Sequence, residues 1–173
     1  MRFFLMEQDR SLPDRIELRD FDILGQHHLF LKKDADRIQD STTLYLAEHT
    51  GETAPDFIQN PIFLVSDMVK KVLDFYEDAM VFKTVALVNK EKGDIFVYHT
   101  LLLEPIDALS DKTEFYPNGS IKRLVLQKEK IGEHHILLLE DQRVLIPMVS
   151  LEVVESLLRR NVTGIVWKEV EVE

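Results

Sequence analysis

Asn60-Pro61-Ile62-Phe63-Leu64-Val65-Ser66-Asp67-Met68-Val69 is an apolar run that ends on a serine followed by an acid. The same order returns as Ile146-Pro147-Met148-Val149-Ser150-Leu151-Glu152-Val153. Both read as a short strand running into a helix with the serine as N-cap. The serine oxygen accepts from an N–H left free at the helix start, and the acid suits the positive end of the helix dipole. Core-facing residues follow three and seven positions after each serine, Val69 with Val153 and Leu73 with Leu157. A further apolar strand comes after each helix, over 81–88 and over 165–172, so two strand–helix–strand units frame the chain. The class this predicts is α+β: mostly antiparallel sheet with two main amphipathic helices packed on it. Ser66 and Ser150 are not read as nucleophiles. A nucleophile elbow has glycine on both sides so that backbones approach closely in a strained turn, whereas the neighbours here are Val65 and Asp67, Val149 and Leu151.

A chain of 173 residues, 45% hydrophobic and 30% charged, has ample sequence for a core. One domain is expected over 1–173, with a β-rich part over 1–59 followed by a core over 60–173. There is no cysteine, which excludes disulfide scaffolds, thiol catalysis and thiolate metal sites. The opening Met1-Arg2-Phe3-Phe4-Leu5-Met6 is interrupted by Glu7 and Asp9 before a signal-peptide core could form. No run approaches the roughly 18 apolar residues of a membrane span, and the expected address is the cytoplasm. The net charge of −10 disfavours nucleic acid and anionic membranes; it keeps a globular protein soluble, the commoner role of such a charge, or favours encounter with a basic protein.

Strands are also expected over 2–6, 23–31 and 42–48, with an acidic connector from Asp34 to Asp40. The first helix is expected over 67–78, with Met68, Val69, Val72, Leu73, Phe75 and Tyr76 on its apolar side. The strongest hairpin signal joins 81–88 to 95–103 through Asn89-Lys90-Glu91-Lys92-Gly93-Asp94. Short strands follow over 121–127, 135–140 and 144–148, and the second helix covers 151–160, ending on Arg159 and Arg160.

Chemical motifs are sparse. The six glycines form no phosphate-cradling loop, and no cofactor is expected. His27-His28 and His134-His135 are adjacent pairs. Neighbours on a strand point to opposite faces, so neither pair chelates one ion, and no metal site is expected. His99 shares a strand face with Val97 and Leu101. It reads as a core histidine bonded to backbone, or as a general base in an apolar environment. No catalytic residue is assigned. The segment 104–119 mixes acids with aromatics in a loop. Glu104, Asp107, Asp111, Glu114, Phe115 and Tyr116 are its candidate partner-binding residues, since aromatic anchors flanked by charge are a feature of protein-recognition surfaces. The other reading tucks Phe115 and Tyr116 onto the core and leaves the acids solvated.

Asn60-Pro61-Ile62-Phe63-Leu64-Val65-Ser66-Asp67, the helix after it, the hairpin leading to Ile106-Asp107-Ala108-Leu109, and the closing Val149-Ser150 helix with Thr163-Gly164-Ile165-Val166-Trp167 together resemble a bacterial family. It is the eleventh immunity-protein family of polymorphic toxin systems, formerly a domain of unknown function. The resemblance starts at strand 2–6, is clearest from Asn60 to Trp167 and is weakest over 8–52. It implies a cytoplasmic, non-enzymatic protein that neutralises a cognate toxin by direct binding, and it carries no defined site residues. The acidic balance suits a basic toxin. Two other functions remain open at this point. One is a small hydrolase with a dispersed site built from His99 and a carboxylate. The other is a module that self-associates through an edge strand over 168–173, whose alternating charges argue against pairing.

Overall fold

The computed structural model describes residues 1–19, 31–141 and 144–173. The expected strand over 23–31, apart from Leu31, and the His27-His28 pair lie outside the described residues. In chain order the strands are β1 (Phe3–Gln8), β2 (Ser41–Tyr45), β3 (Phe57–Ile58), β4 (Leu64–Val65), β5 (Thr84–Val88), β6 (Ile95–Thr100), β7 (Glu114–Phe115), β8 (Ile121–Arg123), β9 (Val125–Leu126), β10 (Ile136–Asp141), β11 (Val144–Ser150) and β12 (Ile165–Val172). The helices are α1 (Asp67–Tyr76), α2 (Lys128–Ile131) and α3 (Leu151–Leu158). The acidic connector forms a 3-10 helix, Lys32–Arg37, that buries Asp34.

The strands build two five-stranded sheets, ordered β10-β11-β1-β12-β9 and β2-β5-β6-β4-β3, with β7-β8 as a separate hairpin. Helix α1 connects β4 to β5. Each of these pairs antiparallel with β6, which lies between them, so β4 and β5 are parallel to one another. Helix α3 connects β11 to β12 in the same manner, with β1 between them. Two direct parallel pairs complete the sheets, β2 with β5 and β9 with β12.

This corrects the expected class. The molecule is β-rich, with strand outweighing helix about two to one, curled mixed sheets and only short helical segments. It is not a mostly antiparallel sheet carrying two dominant helices. The parallel pairs join segments some forty residues apart, and no local pattern announces such a pairing. The helices are short because the chain turns out of helical geometry at Glu77, whose backbone is extended, and reaches the left-handed region at Asn161, with φ 56°. The expected free edge over 168–173 is also partly taken. One side of β12 pairs with β1, and the other pairs with β9 at Glu171 and Val172.

The helices pack on each other and on one face of each sheet. Val65, Val69 and Leu73 meet Val149, Val153 and Leu157 in the main cluster, all at most 1% exposed. The positions three and seven residues after each serine are therefore the centre of the core. The outer face of the second sheet is filled by Leu44, Val85, Leu87 and Tyr98 with Ile16 and Ile38 over them. That of the first holds Phe3, Leu137, Met148 and Val170 under Ala108, Leu126 and Ile131.

Asp56 ties the two halves together. Ser66 caps α1 as expected, its Oγ accepting from Val69 N–H at 3.3 Å while donating to Asp56 Oδ1 at 2.6 Å. The other Asp56 oxygen accepts from Thr163 N–H at 2.6 Å, just before β12. Beside this contact Gly164 has φ +76°, and a Cβ there would lie 2.4 Å from the Pro55 Cβ. Glycine is needed on both counts.

Two stability outcomes follow. Leu73→Ala, which leaves a hole between the helices, is expected to cost about 2–5 kcal/mol, read as a lowered urea midpoint with unchanged slope. Asp56→Ala strands the Ser66 hydroxyl and the Thr163 N–H, at about 3 kcal/mol. Thr163→Val removes only a 3.3 Å hydroxyl contact and should cost under about 1 kcal/mol.

Candidate partner-binding surface

The segment after β6 is a strap across the outer face of the first sheet. Ile106, Ala108 and Leu109 pack into the third cluster, and Ile106 N–H donates to Leu138 C=O at 2.9 Å. The Thr113 hydroxyl donates to Val125 C=O at 2.8 Å. With the apolar side chains turned inward, Glu104, Asp107 and Asp111 face solvent. The strap then rises into the β7-β8 hairpin, whose turn uses Gly119 at φ +86°. Phe115 and Tyr116 each remain 51% exposed. They are half exposed, so the structure does not tuck them onto the core.

The six candidate residues do not converge on one point. Glu104 accepts from the Lys33 N–H. Asp107 lies 3.4 Å from Lys130 Nζ. Glu114 is 2.9 Å from Lys122 and 3.6 Å from Arg123, and the hydrogen bond from Lys122 holds its carboxyl below the usual range. Much of the strap's negative charge is therefore offset by cations at its side. Such exposed pairs contribute little stability.

Near the first of these residues are two hollows that share His134. The larger, of about 540 Å³, is lined by Phe75, Tyr76, Glu77, Asp78 and Glu133 as well as His134. The smaller, of about 120 Å³, is mainly apolar: Ala79, Leu103, Ile106, Ile136, Leu137 and Leu138 line it, with Lys32 and Glu104 beside His134. His134 Nδ1 sits 2.9 Å from Glu77 Oε2, joining the end of α1 to the approach to β10.

Phe75 departs from its expected place on the apolar side of α1. It is 81% exposed, while Val69, Val72 and Leu73 are buried. At 100° per residue, Phe75 stands about 110°, nearly a third of a turn, from the centre of the stripe formed by Val69, Val72, Leu73 and Tyr76. Counting it as apolar without measuring that angle hides it. Met68, seven residues earlier, shares the flank and is 42% exposed. The run Asp74-Phe75-Tyr76-Glu77-Asp78 has the same acid–aromatic composition as the strap and is the signal that would have found this surface.

His135 and Ser150 meet each other, and His99 faces α1. Ser150 begins α3 but makes no cap bond with its side chain. The residue is fully buried, and its Oγ lies 2.9 Å from His135 Nδ1. Glu152 is 4.0 Å from the same Nδ1. Its carboxyl is held low first by its own N–H and then by Ser150. A proton relay needs serine and acid on opposite imidazole nitrogens. Here both meet one nitrogen, and of the three only Ser150 is buried, so the group is not arranged as a triad. His99 Nε2 has no hydrogen bond among the described residues and sits 3.5 Å from Asp67 Oδ1. The expected backbone partner is absent at this nitrogen, and a carboxylate of α1's first turn faces it instead. Among the described residues no group of three His, Asp or Glu side chains is arranged to hold a metal ion, and no helix is long and apolar enough to cross a membrane.

The structure thus presents a β-rich scaffold with acid–aromatic surfaces at the strap and at the end of α1. The chain belongs to the immunity protein family Imm11, whose family model matches residues 5–172. That match takes in the region over 8–52 that the sequence motifs covered least. Comparison with curated proteins gives no match.

Burial, and next the charge of Lys70, lower the His99 pKa from 6.5. The unfolded chain therefore takes up this proton more readily than the folded one as pH falls through about 6.5, so acidification costs stability there. In His99→Gln that contribution vanishes. The drop in urea midpoint from about pH 7.5 to pH 5.5 should be smaller in the variant than in the parent, set against the reference imidazole range.

Proposed function

We propose that this protein neutralises a cognate bacterial toxin by binding it directly in the cytoplasm of the producing cell, with no cofactor and no chemistry performed on the toxin. Membership of an immunity protein family over nearly the whole chain carries this reading. The net charge of −10 supports a basic toxin, because opposite charge speeds encounter and favours occlusion of a basic cleft. The same charge disfavours nucleic acid and anionic membrane as partners. The exposed Phe115 and Tyr116, with Glu104, Asp107, Asp111 and Glu114 along the strap, supply the proposed contacts: aromatic anchors with acids around them.

Co-expression with candidate toxin domains from the same organism tests the reading. Cells are expected to survive only when this chain is present, and the two proteins should co-elute as a complex. Survival without a complex would exclude neutralisation by binding. Asp107→Lys, Asp111→Lys and Glu114→Lys together should slow association about tenfold at low salt, the scale of a rim-charge effect. An unchanged rate would remove the strap from the interface.

A further inference from the structure

We propose that the groove around His134 is a docking site for a lysine- or arginine-bearing segment of the protein partner. This deepens the immunity reading and rests on it for the partner's identity, though not for the chemistry of the groove.

The two hollows share His134 in their linings. The smaller offers an apolar floor from Ala79, Leu103, Ile106 and Leu138 with Lys32 and Glu104 at its side, and the larger offers the carboxylates of Asp78 and Glu133 beside the Glu77–His134 pair. An occupant that matches both linings brings apolar surface together with positive charge. Lysine and arginine do so, with an aliphatic stem and a cationic head. A small-molecule ligand fits less well, since the apolar part measures only about 120 Å³ against the several hundred Å³ usual for such sites. A nucleic acid would meet carboxylates where its phosphates need cations.

In the groove Glu77 is held by His134, while two further carboxylates stand without a cation, as Asp111 does on the strap among the described residues. Asp107 and Glu114 have cations at ion-pair distance. Among the described residues, Asp78 and Glu133 are exposed and form no ion pair. Asp74, Glu77 and Asp78 also gather at the C-terminal end of α1, whose last turn holds no basic residue. Carboxylates at the negative pole of a helix oppose the dipole. The arrangement costs stability, and an incoming cation offsets that cost. Phe75, the most exposed large apolar side chain described, borders the same hollow. Its ring is set edge-on to Tyr76 at 5.2 Å, and an exposed aromatic face adds cation–π attraction for the same kind of group. Glu104 connects the groove to the strap, so one partner can engage both.

The test titrates the isotope-labelled full chain with acetyl-Leu-Arg-Leu-Lys-Leu-amide, and in parallel with the peptide carrying glutamate at both charged positions, following backbone amide shifts. Saturating shifts confined to the groove around Phe75, Asp78, Glu133 and His134 are expected with the basic peptide and not with the acidic one. Asp78→Lys with Glu133→Lys should weaken binding at least about tenfold while the spectrum elsewhere stays unchanged. Absent shifts, equal shifts with both peptides, or shifts centred on the Phe115–Tyr116 hairpin would overturn the proposal. A toxin domain that this chain protects against in co-expression gives the second arm. If the parent binds it and the double variant does so equally well, the groove proposal fails and the immunity reading stands. If the parent does not bind it at all, the immunity reading fails, and the peptide titration still decides the groove.

Discussion

The fold depends on the mutual burial of α1 and α3 between two sheets. Neither helix is long enough to persist alone, because helices of eight to ten residues are marginal in water. The inner face of each sheet would also be an apolar surface open to solvent. Packing Val69 and Leu73 against Val153 and Leu157 removes both problems at once. Each buried side chain of this kind contributes about 1.5–3 kcal/mol relative to exposure. The same packing fixes topology. Each helix has to leave its sheet, cross over and return in the direction of its first strand, which leaves a slot that β6 fills in one sheet and β1 in the other.

Fixing the N-terminal end of α1 has a consequence for its other end. Ser66, Asp56 and Thr163 anchor the helix start to the approach to β12 through short hydrogen bonds. The C-terminal end then projects with Phe75 exposed and Glu77 held by His134. One end of a single helix does structural work while the other presents an aromatic ring and carboxylates. The strap reaches the same region from the outer face of the first sheet through Glu104. Of the strap's acids, Glu104 lines the same hollow as His134.

The serine motifs were legible in part. Both mark helix starts, as local cap chemistry requires, and Ser66 makes the expected bond. Ser150 gives its oxygen to His135 instead, because β10 brings that imidazole alongside the end of β11. No local pattern contains that neighbour. Phe75 is a different kind of miss. Its angle from the apolar stripe was available in the sequence, but residue type suggested burial more strongly than position suggested exposure.

What the sequence by itself determined is what depends on neighbours a few residues away: the two serine-started helices, the core positions three and seven residues beyond them, the β5-β6 hairpin, and the family through motifs spread from the first strand to Trp167. Periodicity, capping and turn chemistry act over that range. Tertiary structure alone decided the parallel pairs β2-β5 and β9-β12, the mixed β-rich class that replaced the α+β expectation, and which acids stand paired or unpaired at the surface. Those outcomes depend on segments forty or more residues apart meeting in space, where burial of shared apolar faces selects the partner and charges are placed as a result.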